Sequence, residues 1–315
     1  MPETIVCIFN PEHDLCLANG GAHYVPPASA LRFARLGASI MQVLYPQATA
    51  VAAAQVDAAF VARWQSERGA LSGADIVPWG WNITLATSLL KAGVPPSCLP
   101  SADTFARWRS LQHRQTLLPL QPDSRLVNSA EQADALFTLQ PHWVLKAPWS
   151  GSGRGLRWVS GGLSPLDRKW VDRVLAQQHV LLAEPRREVV ADFALEYRIA
   201  QGRLLLIGYS LFRSQHGVYR SNLLLTDAEI AQRVGLTAKL QNHIERWLQA
   251  VVAPHYEGPL GVDCMLDASG EIHVGELNLR HTMGLVAHQY LAAHPEAEGM
   301  SLSLNDSTLL LSPAD

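Results

Sequence analysis

Cysteine is scarce in this chain. Its 315 residues hold four (Cys7, Cys16, Cys98, Cys264), without the close spacing that metal knuckles or a disulfide framework require. They read as reduced, mostly buried thiols, which sets the expectation of a cytoplasmic protein. Long apolar runs are also missing, and none approaches the roughly 20 residues that span a bilayer. The start, MPETIVCIFNPEHD, carries an early acid and soon meets Pro11, so it does not read as a signal peptide. No charge of one sign dominates. The net charge of -3 gives no reason to expect nucleic acid or an acidic membrane surface as a partner. Internal repeats and low-complexity tracts are absent. No GxGxxG follows the first strand, which speaks against a dinucleotide site there.

What is present is a core. At 48% hydrophobic and 17% charged, the chain has enough apolar material for two or three domains. The first hundred residues read as α/β. Thr4 to Phe9 is a short apolar run ended by Asn10-Pro11, as in a buried parallel strand. Helical spacing follows Pro27 and again covers Val51 to Gln65, an Ala-rich stretch. Asp75 to Val77 suggests a second strand, and Thr84 to Ala92 a helix closed by Gly93. Strands alternating with helices predict a parallel sheet, whose ligands lie beyond the strands' carboxyl ends. Two loops fall there. Asn10-Pro11-Glu12-His13-Asp14 gathers an amide, two acids and an imidazole, and reads either as a substrate loop or as side chains capping their own backbone. Trp79-Gly80-Trp81-Asn82 suits a ligand, although burial is the commoner fate of tryptophan.

Further units follow near Leu99. Ser101 starts a helix rich in Arg107, Arg109, His113 and Arg114, of which Arg107 and Arg109 read as a solvated face. A cap-and-helix pattern spans Val127 to Ala135. The strand Trp143 to Pro148 then runs through Trp149 into Ser150-Gly151-Ser152-Gly153-Arg154-Gly155, and a strand from Leu156 to Val159 follows. Glycines let backbone N–H groups approach an anion, the serines add hydroxyls, and Lys146 supplies a cation. The tract leads into a strand and lacks Gly-Lys-Ser/Thr, so it is no Walker loop; it is closer to a hairpin flap over phosphates. A bare Gly/Ser turn is the alternative. Val180 to Pro185, Asp192 to Ile199 and Arg203 to Leu211 read as strands, with Gln201-Gly202 as a turn. Phe212 to Arg220 is a polar, basic loop, and Thr237 to Val252 an amphipathic helix.

The segment from Gly258 to Gly284 reads as two strands around the type I turn Asp267-Ala268-Ser269-Gly270. Alternation puts Glu276, Asn278 and Arg280 on one face. With Leu266 paired to Glu271, Asp263 lies opposite Val274 and diagonal to Glu276. Carboxylates crowded in an apolar hairpin repel each other and lose hydration, a conflict that a divalent cation removes. The ligands are all hard oxygens, which favours magnesium over zinc. A half-buried hairpin with a solvated polar end is the other reading.

In this order and at these distances, Lys146 with its glycine flap, the strand end Glu184-Pro185, and Asp263 followed by Glu276-x-Asn278-x-Arg280 resemble the ATP-grasp superfamily over roughly residues 100 to 300. The resemblance implies an α/β (α+β) protein: a Rossmann-like domain at 1–100, a central ATP-grasp subdomain with the flap at 101–180, and a carboxy-terminal subdomain with the metal site at 181–315. It implies ATP, with Lys146 on the phosphates under the flap (Ser150, Gly151, Ser152, Gly153, Gly155). Ala183 and Glu184 would meet adenine and ribose, with Asp192 as a second ribose acid. Asp263, Glu276 and Asn278 would hold two magnesium ions, which manganese can replace, and Arg280 would steady the transferred phosphoryl group. Where such enzymes carry another lysine, this chain offers Arg114. Arg213 and Arg220 would close on an acyl phosphate or form structural ion pairs. The implied activity is an ADP-forming ligase joining a small-molecule carboxylate to an amine, with a small-molecule kinase or a non-catalytic nucleotide-binding protein as alternatives. Asn10, Glu12, His13 and Asp14 would help to choose the acid, and a homodimer is left open.

Overall fold

The computed structural model describes residues 4–70, 73–150, 155–215, 217–305 and 308–314. Its first unit is the expected parallel sheet, with β1 (Thr4–Phe9) between β2 (Thr49–Ala52) and β3 (Ala74–Pro78). β2 corrects the sequence expectation. The stretch from Val51 to Gln65 is not one helix: it begins in a strand hydrogen-bonded to β1, and the helix covers only Ala58–Arg68. Asp57 decides where that helix starts, because its carboxylate accepts the Phe60 N–H at 2.8 Å. Alanine's helix preference is weak enough for strand pairing to override it. The ends of β1 and β3 adjoin, with the Trp79 N–H donating to the Ile8 carbonyl at 2.8 Å. Both polar loops therefore leave the same edge of the sheet.

The second unit is an antiparallel sheet of β4 (Arg125–Val127), β5 (His142–Lys146), β6 (Leu156–Ser160) and β7 (Leu181–Pro185), ordered β4-β7-β5-β6. It buries Leu145, Leu181 and Val159 against Trp170 and Val171 of the helix Pro165–Gln178. Sequence order groups β7 with the third unit; hydrogen bonding to β5 and β4 puts it in the second.

The third unit holds β8 (Val189–Ala200), β9 (Arg203–Gln215), β10 (Val218–Leu223), β11 (Gly258–Asp267), β12 (Ile272–Asn278), β13 (Met300–Asn305) and β14 (Thr308–Pro313). They form one antiparallel sheet ordered β12-β11-β8-β9-β10-β13-β14. Alternation along β8 sends Phe193, Leu195, Tyr197 and Ile199 into a core shared with Ile244 and Leu248 of the helix Ala238–Trp247 and its π-helical extension Leu248–Val252. The opposite face carries Asp192, Ala194 and Glu196. Gln201-Gly202 makes the expected turn. The expected polar loop from Phe212 to Arg220 is instead a hairpin, because β9 runs to Gln215 and β10 restarts at Val218. Its polar residues sit on strands bordering a polar cavity, a setting that composition alone reads as loop. Among the described residues, no helix is long and apolar enough to cross a membrane.

Candidate active site

The β11–β12 hairpin brings two acids closer than its sequence predicts. The Gly270 N–H donates to the Asp267 carbonyl at 2.9 Å, as the type I turn requires, but Asp267, not Leu266, closes the ladder against Glu271. The loop is thus three residues long, with Gly270 at φ 86° in the left-handed position that follows a type I turn in such hairpins. Leu266 pairs with Ile272, Cys264 with Val274, and a bulge at Gly275 brings Asp263 directly opposite Glu276. The diagonal expectation is corrected: the carboxylates occupy facing positions. Asn278 Nδ2 donates to Asp263 Oδ2 at 3.1 Å. Burial, then repulsion from Glu276 and Glu196, pushes the Asp263 carboxyl up to about 8.

Cations approach this pair from the second unit. Arg114 opens a 3₁₀ turn (Arg114–Leu120) beyond the helix Ala102–Leu111 and is buried. It donates to Glu276 Oε1 at 2.7 Å, to the Ala147 carbonyl at 2.5 Å and to Ser150 Oγ at 2.7 Å. Lys146, at the end of β5, pairs with Glu184 of β7 at 2.6 Å, both side chains nearly buried. The Glu184 carboxylate is thus tied to the lysine and borders a separate cavity of about 310 Å³, while the Ala183 side chain lies in the central core. Ser150 and Gly155 flank the flap; Gly151, Ser152 and Gly153 lie outside the described residues. Arg109 does not sit on a free solvated face. It stacks over Trp149, 3.7 Å from the ring centre, and donates to the Leu17 carbonyl at 2.7 Å.

Arg280 is gripped by the first unit, donating through Nε and Nη2 to the two Asp14 oxygens at 3.1 and 3.0 Å. Burial alone would raise the Asp14 carboxyl, but the Arg280 guanidinium outweighs it and holds it below the usual carboxylate range. The rest of the loop has other duties. Asn10 exchanges two hydrogen bonds with the Gly80 backbone, at 2.8 and 3.3 Å. His13 is fully buried between Asn82 and Gln112, and burial lowers its pKa, keeping the ring neutral. Glu12 is buried too, and burial pushes its carboxyl up to about 7. Of the four loop residues expected to choose the acid, the structure brings Asp14 to the cavity.

That cavity, about 550 Å³, runs from Arg114, Lys146 and Ser150 past Asp192, Asp263, Glu276, Asn278 and Arg280 to the first unit. Asp192 accepts from Ser214 Oγ at 2.5 Å, and burial raises its pKa. Arg220 lines the cavity and donates to Gln215 at 2.9 Å. Arg213 does not line it, although its neighbours Phe212 and Ser214 do. Sequence reading missed Glu196. It lies on the cavity floor, accepting from Ser210 at 3.0 Å and Thr282 at 2.8 Å, and burial pushes it up to about 7. The signal was the two-residue period of β8, which puts Glu196 on the face of Asp192 and Ala194.

The sequence matches no family model and no curated protein. Solved structures do resemble it. N5-carboxyaminoimidazole synthetase from Staphylococcus aureus, complexed with ADP, aligns with 92% of this chain and 76% of its own at 13% identity, with a TM-score of 0.53. D-alanyl-alanine synthetase A from Vibrio cholerae aligns with 93% of this chain and 94% of its own at 14% identity and TM-score 0.54. A biotin carboxylase–β,γ-ATP complex from Campylobacter jejuni gives 92%, 70%, 14% and 0.52. The likeness is one of fold and spans nearly the whole chain.

Proposed function

We propose, from the ATP-grasp fold of this chain, that it is an ATP- and magnesium-dependent, ADP-forming ligase that joins a small-molecule carboxylate to an amine through an acyl phosphate. The observation that carries the reading is the facing pair Asp263 and Glu276 in one cavity with Arg114, Lys146 and Arg280. The donor set fits a hard divalent cation. Asp263, Glu276 and Asn278 can each offer an oxygen ligand, and the burial and like-charge crowding that raise the Asp263 pKa are what a cation offsets. Magnesium bound there would neutralise phosphate charge. The nucleotides bound in the S. aureus and C. jejuni structures support ATP.

The residues divide the work by position. Lys146 and Arg114 would hold phosphate oxygens. Each is already oriented by a carboxylate, so little reorganisation is needed when charge shifts in the transition state. Arg280, fixed by Asp14, would steady the transferred phosphoryl group. The carboxylate substrate attacks the terminal phosphorus and ADP leaves; the amine then attacks the acyl carbon and phosphate leaves. The flap, from Ser150 to Gly155, would keep water from the acyl phosphate. Incubation with ATP, magnesium, a panel of carboxylic acids and hydroxylamine tests this. The expected product is a hydroxamate formed in equal amount to ADP. A stable phosphate ester without hydroxamate would make the protein a kinase. Nucleotide binding without ADP release on any acid would make it a binding protein.

A further inference from the structure

Beyond the ionic groups the cavity changes character. On the side of the first unit its wall is Phe9, Phe33, Trp79, Met283 and Leu304. These residues belong to one apolar cluster that joins β1, the helix Ala28–Gly37, the start of the helix Met283–Ala293, and β13. Phe9 meets Trp79 edge-on at 5.3 Å and Phe33 at 5.9 Å. The wall is well supported: Phe9 and Trp79 are almost fully buried, while Phe33, Met283 and Leu304 keep part of their surface toward the opening. Trp79 is fixed at both ends of its peptide unit, its N–H donating to Ile8 and its carbonyl accepting from His281, each at 2.8 Å. The chamber is continuous with the row of Arg280, Glu196 and Asp263. A ligand reacting at that row would lay its far end against apolar surface.

We propose that the substrate held by the first unit has an uncharged, apolar body, aromatic or branched aliphatic, lodged against Phe33, Trp79, Met283 and Leu304, with its reacting head toward Arg280. This rests on the ligase reading and adds the class of molecule selected. A charged or strongly hydrated body would lose its water against Phe33, Met283 and Leu304, which offer no hydrogen bond in return. An apolar body gains by the same burial. One methylene more or less in such a pocket shifts kcat/KM by about tenfold or more.

The test uses the full chain with magnesium, ATP and single probes: phenylalanine, leucine and 3-phenylpropionate against glycine and aspartate. Probe binding is followed by calorimetry, and turnover as ADP release with and without hydroxylamine or glycine ethyl ester as second substrate. The apolar probes are expected to bind and to raise ADP release about tenfold or more over glycine and aspartate. Phe33→Ala and Leu304→Ala, both at half-buried positions, should raise KM for the apolar probes about tenfold and leave MgATP affinity unchanged. A preference for aspartate or glycine, or chamber variants with unaltered KM for every probe, would overturn the proposal and leave the ligase reading standing. No ADP release with any probe, together with no MgATP binding, would remove the ligase reading and this one with it. Apolar binding without phosphoryl transfer would remove the ligase reading, and with it the assignment of the bound molecule as its substrate.

Discussion

Glu12 shows how a single side chain departs from what its neighbours in sequence suggest. It sits in a loop rich in polar groups, yet it is almost fully buried, and its Oε2 finds no hydrogen-bond partner among the described residues. Burial therefore holds its carboxyl protonated up to a pH of about 7. In the unfolded chain the same group releases its proton near pH 4.3. Across that window the unfolded state is the one that ionises, so folding loses stability as pH rises from about 4.3 to 7 and regains none above it. Glu12→Gln keeps a neutral group in the same space. The variant should melt several degrees above the parent at pH 8 and close to it at pH 4, by on the order of 3 kcal/mol of linkage at most. Parallel melting-temperature profiles for the two proteins would show that Glu12 is ionised where it lies. The chemistry of the loop was legible in the sequence, but its division of labour was not. Asp14 reaches Arg280, whereas Asn10 bonds the Gly80 backbone and His13 the Asn82 side chain of the tryptophan loop, partners some seventy residues away in sequence.

At the scale of elements, the sequence carried what depends on local period and turn chemistry. The strand β1, the helix Ile83–Lys91, the turn at Gln201-Gly202 and the turn of the β11–β12 hairpin all stand where that chemistry placed them. What depends on distant partners was not carried. β2 hides in an alanine-rich run because its reason to be extended is β1. β7 belongs to the second unit because its hydrogen bonds do. Asp263 faces Glu276 squarely because of a bulge that alternation does not announce. A close contact of the same kind fixes the helix Met283–Ala293. Gly284, in its first turn, presses on the cavity floor, and a Cβ there would stand 1.9 Å from Glu196 Oε1 and 2.3 Å from Ser210 Oγ. Gly284→Ala is expected to cost about 1–3 kcal/mol and to lower the melting temperature measured by circular dichroism. Gly73→Ala, where an added Cβ meets nothing within 4 Å among the described residues, serves as its silent counterpart. Equal melting temperatures for the two variants would mean that the floor yields freely.

At the scale of the whole molecule, three units converge on one cavity and are stitched across it. Arg280 reaches Asp14, the His281 N–H reaches the Trp79 carbonyl at 2.8 Å, and Arg114 bridges the second unit to Glu276. Lys146 and the flanks of the flap come from the second unit, the acid pair from the third, and the apolar chamber in large part from the first. Arg114 was legible as a cation but not as the buried centre of this junction. On the proposed function, the facing acids Asp263 and Glu276 hold the cation through which ATP is bound. The direct measurement is an equilibrium titration of ATP with and without magnesium, on the parent and on Asp263→Asn and Glu276→Gln, with folding checked by circular dichroism. Magnesium should tighten ATP binding to the parent by about tenfold or more and do nothing for either variant, while both variants stay folded. ATP binding that is indifferent to magnesium in the parent, or as magnesium-dependent in the variants as in the parent, would contradict the claim.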